Sequence, residues 1–400
     1  MSMRAAPVCA KLSALVLLVL LPGPAAAVWP ADPTVNVPLC VATSGQRYPE
    51  AAPDVGGGAI VAWDDQRGGP RDIYVQRVDG AGTPRWTANG VLLCAASGEQ
   101  YAPKIVPDGR GGAIVTWSDF RGAAFDIYAQ RVDSSGAAMW TANGVALCTA
   151  TNFQSHPAIV SDGSGGAIVT WDDSRTGNSR IYAQRVNASG VPQWTANGVS
   201  LTNSLAGQAR PLIVSSGAGG AIVVWDDARN GDIDLFAQRV LANGTVDPAW
   251  PAAGRAIAPL VPGVQDRPAM VVDGNGGAFV TWAQWDGASH DIHVQHVLAS
   301  GAIDPAWPAN GRAVIADYSD QDWPAIVADG AGGAIVSWDN LTGNDGYNRD
   351  IYAHHVFATG AVDPAWPSTG LAICLASGDQ RWPRMVADGA GGAVVVWQAL

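Results

Sequence analysis

The residues best suited to chemistry are carboxylates that follow a tryptophan. Asp64 and Asp65 follow Trp63, with Arg67 and Asp72 close behind. Asp119, Arg121 and Asp126 repeat the pattern after Trp117, Asp173 and Arg175 after Trp171, and Asp227, Arg229 and Asp234 after Trp225. Paired carboxylates can act as acid and base on a glycosidic bond or ligate calcium. A constellation repeated this often reads instead as scaffold, with Arg and Asp flanking one loop in a bidentate pair, because an active site is normally singular. The spacing is not that of an EF-hand loop, and His156, His290, His293, His296, His354 and His355 form no His-Glu-x-x-His motif. His296, His354 and His355 mostly replace the Gln or Arg of a recurrent Ala-Gln-Arg-Val and read as strand residues. There is no Gly-x-Ser-x-Gly elbow. The glycine-rich turns precede strands, so they lack the helix N-terminus of a phosphate cradle. No catalytic residue, metal or cofactor is assigned.

Cys40, Cys94, Cys148 and Cys374 share one repeat position, which holds Thr202, Ala258 and Ile315 in the other copies. A slot that accepts Cys, Thr, Ala and Ile reads as a small apolar core site, where cysteine serves as a small hydrophobe. Free, buried thiols are expected rather than disulfides between blades.

A second set of side chains points to binding. Each copy opens with Gln-x-x-Pro, at Gln46, Gln100, Gln154, Gln208, Gln265, Gln321 and Gln380. The glutamine reads as a scaffold residue bonding the backbone of the adjoining blade. The residue before the proline varies: Tyr48, Ala102, His156, Arg210, Arg267, Trp323 and Trp382. If the first strand is innermost, these side chains ring one mouth of a central channel. Of 17 tryptophans, seven belong to second strands and seven, counting Trp29, to fourth strands. Only Trp285, Trp323 and Trp382 stand outside that framework. Aromatic and Arg side chains are the usual anchors of binding surfaces, so Tyr48, His156, Arg210, Arg267, Trp323 and Trp382 are the candidate ligand-binding residues.

These residues are positioned by a repeat. Trp63, Trp117, Trp171, Trp225, Trp282, Trp338 and Trp397 recur at spacings of 54, 54, 54, 57, 56 and 59, periods that mark stacked supersecondary units. One copy reads as four strands, at Ala102–Val106, Ala113–Trp117, Asp126–Val132 and Met139–Cys148. They are rich in β-branched and aromatic residues and separated by Asp/Gly turn chemistry. The second strand is apolar on both faces, as in a sheet covered by two neighbours. The fold predicted is all-β, a β-propeller of seven blades of four antiparallel strands. Repeats lie near 45–97, 98–151, 152–205, 206–262, 263–318, 319–377 and a partial 378–400. Residues 28–44 match the end of a copy, so the N-terminus is expected to supply a fourth strand to the last blade. That blade is either incomplete or belongs to a longer chain. Residues 28–400 read as a single propeller domain.

Residues 1–27 have the pattern of a secretory signal peptide: Arg4 and Lys11, an apolar Leu12–Leu21, and small Ala25–Ala27. The apolar run is short for a membrane span. Its removal leaves 21 basic and 35 acidic residues, a charge of −14, with Lys104 the sole lysine. That balance argues against nucleic acid or anionic membrane partners.

The stretches Pro107-Asp108-Gly109, Ile114-Val115, Asp119-Phe120-Arg121-Gly122, Asp126-Ile127-Tyr128 and Val132-Asp133 resemble the TolB-type propeller repeat over about half of each blade. The resemblance implies a β-propeller that serves as a protein-interaction platform in the bacterial envelope. The extra N-terminal domain of TolB is missing, so its partners do not transfer. Sialidases share the architecture, but their Ser-x-Asp-x-Gly-x-x-Trp box and arginine triad are not recognisable. The reading is a monomeric, non-enzymatic propeller, secreted, periplasmic or on the cell surface, that binds a protein or glycan. A glycan-active hydrolase on the same fold is the alternative, and fold alone does not decide between them. A hydrolase needs one odd blade, and copy five, with Ala283-Gln284-Trp285-Asp286, loses charges there rather than gaining them.

Overall fold

The computed structural model describes residues 36–259, 262–315, 319–341 and 348–400. The expected signal peptide and Trp29 lie outside them. The described residues fall into two compact units. One holds Val224–Gln238 and Pro248–Leu400, and the other holds the described part of Leu15–Val223 with Arg239–Asp247.

Every described element is a strand. In copy two the strands are Gln100–Pro107, Ala113–Asp119, Asp126–Val132 and Val145–Cys148, hydrogen-bonded in chain order and antiparallel. Copies one, three, five and six repeat this order. Copy seven pairs only Gln380–Ala387 with Ala393–Ala399. The second strand is buried along its whole length in copy two, as its two-faced apolar pattern requires.

Two expectations need correction. The tryptophans placed in the fourth strands lie ahead of them, in the connection from the third strand. From there they reach across to another copy: Trp86 Nε1 donates to Ser134 O at 3.1 Å, Trp140 Nε1 to Ala188 O at 3.1 Å and Trp307 Nε1 to Ala358 O at 3.0 Å. Each indole N–H thus finds a carbonyl of the following copy, a contact made from the connection and independent of the strand ladder. Second, residues 36–45 form no strand. Cys40 nevertheless meets Asp65 at 3.9 Å and Arg67 at 3.0 Å, the partners that Cys94 has one repeat later in Asp119 and Arg121. The segment keeps its side-chain contact without its ladder.

The carboxylates behind the tryptophans are the scaffold. Trp117 Nε1 donates to Asp119 Oδ2 at 2.7 Å, and Arg121 grips both oxygens, Nε to Oδ1 at 2.8 Å and Nη2 to Oδ2 at 2.6 Å. The guanidinium lies 3.7 Å from the Tyr128 ring centroid and also donates to Asn143 O at 2.8 Å. Asp119 is fully buried. Asp65, Asp173 and Asp227 make the same pairs with Arg67, Arg175 and Arg229. Gly144 follows Asn143 at φ +87°, and a Cβ there would stand 2.7 Å from Trp117 Cη2, so that position admits no side chain.

The thiol slot is not purely apolar, because it abuts this pair. Cys94 Sγ lies 3.5 Å from Arg121 Nη2 and 3.6 Å from Asn143 O. None of the four described cysteines is in a disulfide, and burial pushes the Cys94 thiol up to about 11 and Cys148 to about 12. Both stay thiols at neutral pH, and the thiolate is the reactive form.

Two outcomes follow. Asp119→Ala strips a buried guanidinium and an indole N–H of their acceptor, and should cost about 3–5 kcal/mol in urea denaturation, against about 1 kcal/mol for an exposed salt bridge. Alkylation at pH 8 should leave Cys94 and Cys148 unlabelled in the folded chain and label both after denaturation without reductant, as read by mass spectrometry.

Candidate functional site

The first strands of copies one to three and five to seven break register at the Pro of Gln-x-x-Pro. Tyr101 pairs with Ser118 and Lys104 with Thr116, so Ala102 and Pro103 together oppose Trp117 alone, a β-bulge. The residue before the proline carries φ near +50° in every copy: Tyr48 +50°, Ala102 +51°, His156 +51°, Arg210 +53°, Arg267 +49°, Trp323 +50° and Trp382 +56°. This left-handed conformation is uncommon for any residue with a side chain, and it is disfavoured again ahead of proline. Such strain persists only where the surroundings over-determine it.

The surroundings here are carboxylates and glutamines. Asp64 Oδ2 accepts from Ala102 N at 3.3 Å, and Asp339 Oδ2 from Trp382 N at 3.2 Å. Three of the glutamines bond the third strand of the preceding blade, as expected. Ile181 N donates to Gln208 Oε1 at 3.2 Å, Leu235 N to Gln265 Oε1 at 3.0 Å and Ile292 N to Gln321 Oε1 at 3.2 Å. Gln100, Gln154 and Gln380 instead turn Nε2 to carbonyls just upstream and leave Oε1 without a partner among the described residues.

The bulge turns the varying side chain outward. Tyr48, His156 and Arg210, all exposed, belong to the unit that contains copies one to three. His156 Nδ1 lies 3.0 Å from Asp172 Oδ1, which holds the imidazole above its ordinary range against the opposing effect of burial. Arg267, Trp323 and Trp382 belong to the other unit and touch one another. The Arg267 guanidinium sits 5.0 Å from the Trp323 ring centroid, and the Trp323 and Trp382 rings meet edge to face at 6.4 Å and 86°. Each ring is 37% exposed.

Behind the rings lies a charge network that the sequence reading missed. Arg349 opens the third strand of copy six. Its Nη1 donates to Asp339 Oδ1 at 2.6 Å and its Nη2 to Asp320 Oδ2 at 2.5 Å. Asp320 Oδ1 also lies 2.8 Å from His290 Nδ1, and the His290 and Trp285 rings meet tilted by 51° with centroids 4.8 Å apart. Asp322, the cross-strand partner of Asp339, ion-pairs with Arg267 and accepts from Trp323 N at 3.0 Å. Trp285, Trp323 and Trp382, the tryptophans outside the framework, thus share one continuous network. Arg349 stands where copy one has Arg71, copy two Phe125 and copy five His290. Each meets a matching residue just ahead of the next Gln: Arg71–Glu99 at 3.6 Å, Phe125–Phe153 rings at 6.3 Å, His290–Asp320, and Arg349 N to Asp379 Oδ1 at 3.0 Å. Aligning the copies column by column would have exposed this complementary pair.

Copy six is as odd as copy five. Asn340 takes the place of Asp119, and Trp338 Nε1 is buried with no partner among the described residues. In copy five Gln284 Oε1 accepts from Trp282 Nε1 at 3.1 Å. Burial pushes Asp339 up to about 6, against the pull of Arg349 and the Trp382 amide. Asp320 is held below the usual range, since His290 and Arg349 outweigh its burial. Among the described residues no group of His, Cys, Asp and Glu could hold a metal ion, and no helix is long and apolar enough to cross a membrane.

No protein-family profile and no curated protein matches the chain. Among solved structures it is similar to an ulvan lyase, a polysaccharide lyase, with a TM-score of 0.51 at 12% identity over 81% of this chain and 86% of that one. The same lyase bound to -[GlcA(1-4)Rha3S]- also gives 0.51, at 11% identity and the same coverage. TolB from Acinetobacter baumannii gives 0.36 at 14% identity, over 77% of this chain and 63% of that one. TolB-type and polysaccharide-lyase propellers are thus both among its structural neighbours. The fold is a β-propeller built of repeated four-stranded antiparallel blades, and at these identities the likeness extends to fold alone.

Because Asp339 is raised from 3.8 to about 6, its contribution to stability is full below pH 3.8 and is lost as pH rises through 6. The melting-temperature difference between wild type and Asp339→Asn should therefore change between pH 4 and 6 and be flat above pH 7.

Proposed function

We propose that this chain is a non-catalytic, exported propeller that holds a glycan against Trp323 and Trp382. The observation that carries the reading is that the tryptophans outside the repeat framework fall in one network, with two rings half-exposed and backbone-locked. A Trp ring offers a flat apolar face with a polar edge, suited to stacking on a sugar ring. The Arg267 and Asp322 side chains beside it can donate to and accept from hydroxyls. Locking the rings before the ligand arrives reduces the ordering cost of binding. Export is supported by Arg4, Lys11, the apolar Leu12–Leu21 and the small Ala25–Ala27.

A hydrolase is the second reading, favoured by one observation: Asp322 and Asp339 are cross-strand carboxylates and Asp339 is pushed up to about 6. Against it, Asp339 is fully buried, with Oδ1 on Arg349 and Oδ2 on Trp382 N. A general acid must reach the leaving oxygen, and this one has neither a free oxygen nor a path to it.

The test is affinity electrophoresis through soluble polysaccharides with a glycan array. Trp323→Ala and Trp382→Ala should each weaken binding by about 2 kcal/mol, roughly thirtyfold, with the melting temperature nearly unchanged. Retention unaffected by both changes overturns the site. A large loss of stability assigns the rings to the core, and release of new sugar ends from a bound polymer favours the hydrolase.

A further inference from the structure

We infer that the glycan is cationic, an amino-sugar chain with free ammonium groups. The inference rests on the carbohydrate reading above and names the ligand class for the same site.

The network around Trp323 and Trp382 holds five carboxylates, Asp266, Asp320, Asp322, Asp339 and Asp379, and three guanidiniums, Arg267, Arg349 and Arg381. All belong to one compact unit, and the excess is two negative charges. Each guanidinium is already engaged. Arg349 spends Nη1 and Nη2 on Asp339 and Asp320 and is only 12% exposed. Arg267 is paired with Asp322, and its Nε lies 4.0 Å from Asp266. Arg381 places Nε and Nη2 on Asp379 Oδ2 at 2.9 and 2.7 Å. Among these three guanidiniums a uronate or sulfated sugar would find none uncommitted and would have to displace a bonded carboxylate, while Arg384, two residues beyond Trp382, donates only to Pro383 O.

A cation finds the opposite. The protein already places one, Arg267, 5.0 Å from the Trp323 ring centroid, inside the range of about 6 Å in which a ring face attracts positive charge. Trp382 stands at 86° to that ring, so its face is turned toward a different direction and can take a second cation. Asp320 remains 27% exposed and can receive an ammonium while still bonded to Arg349. Ring faces for the cation and carboxylates to neutralise it are the elements of ammonium recognition. The whole chain carries a formal charge of −12, which favours the approach of a polycation.

Titration calorimetry of the full chain should compare three oligosaccharides of equal length: a glucosamine oligomer, its N-acetylated form and an oligogalacturonate. The glucosamine oligomer should bind at least tenfold tighter than the N-acetylated one, with the galacturonate weakest. Added salt should narrow the gap, because these charges are partly exposed. Asp320→Asn should reduce the ratio between the first two ligands while leaving the N-acetylated affinity within twofold. Equal binding of the amino and N-acetylated forms, or preference for the galacturonate, overturns the inference and leaves the carbohydrate reading intact. Binding of none of the three by folded protein overturns both.

Discussion

The structure depends on a buried tryptophan whose indole N–H is answered by a carboxylate two residues on. Trp117 lies in the second strand, covered on both faces, and its Nε1 cannot reach water. A buried donor without an acceptor costs about 1–3 kcal/mol, so Asp119 must follow the ring inward. Burying that carboxylate demands a cation, supplied by Arg121 from the loop, and the planar guanidinium then lies on Tyr128 from the third strand. Trp, Asp, Arg and Tyr therefore recur together because each offsets the burial cost of the one before. The Arg of copy two also reaches the preceding copy, through Cys94, so one group orders a loop and joins two blades.

This dependence explains which parts of the molecule were legible in the sequence. The tryptophan period and the Asp–Arg pairs are local in sequence, so turn residues and strand patterns reported them well. The third strand at Asp126–Val132 falls where its β-branched and aromatic residues placed it. The pre-proline residues were singled out by their variability, but their left-handed backbone could not be foreseen. Pro discourages that conformation in its predecessor, and only the bulge opposite Trp117 and the carboxylate from the preceding blade impose it. The fourth-strand tryptophans were misplaced for a related reason. Their acceptors, such as Ala188 O for Trp140, lie 48 residues away, beyond the reach of any local pattern.

The charge network at copies five to seven was illegible for a different reason. Within one copy, Arg349 looks like an ordinary polar residue opening a strand. Its meaning appears only beside Asp320, Asp339 and Asp379, which come from three different strand starts and ends. The same column holds an ion pair at Arg71–Glu99 and an aromatic pair at Phe125–Phe153. The junction thus accepts any two residues that satisfy each other, and this freedom lets one junction be specialised without disturbing the ring of Trp, Asp and Arg contacts elsewhere.

Specialisation and scaffold loss coincide here. Of the six full copies, five and six are the ones that abandon the Asp–Arg pair, with Gln284 and Asn340 in its place, and in copy six Trp338 Nε1 has no partner among the described residues. The positive charge that other copies bring to the loop enters copy six instead through Arg349, which is turned toward Asp339 and Asp320. Relocating the guanidinium from the loop to the strand start moves it behind the pre-proline residues. There it steadies Asp339, which holds the Trp382 amide in its left-handed turn. A site made by moving a structural charge inherits a saturated cation and an excess of carboxylate. As proposed above, such a network would hold and neutralise a ligand's positive charge, and Asp339, bonded through both oxygens, would be poorly placed to act as the acid that bond cleavage requires.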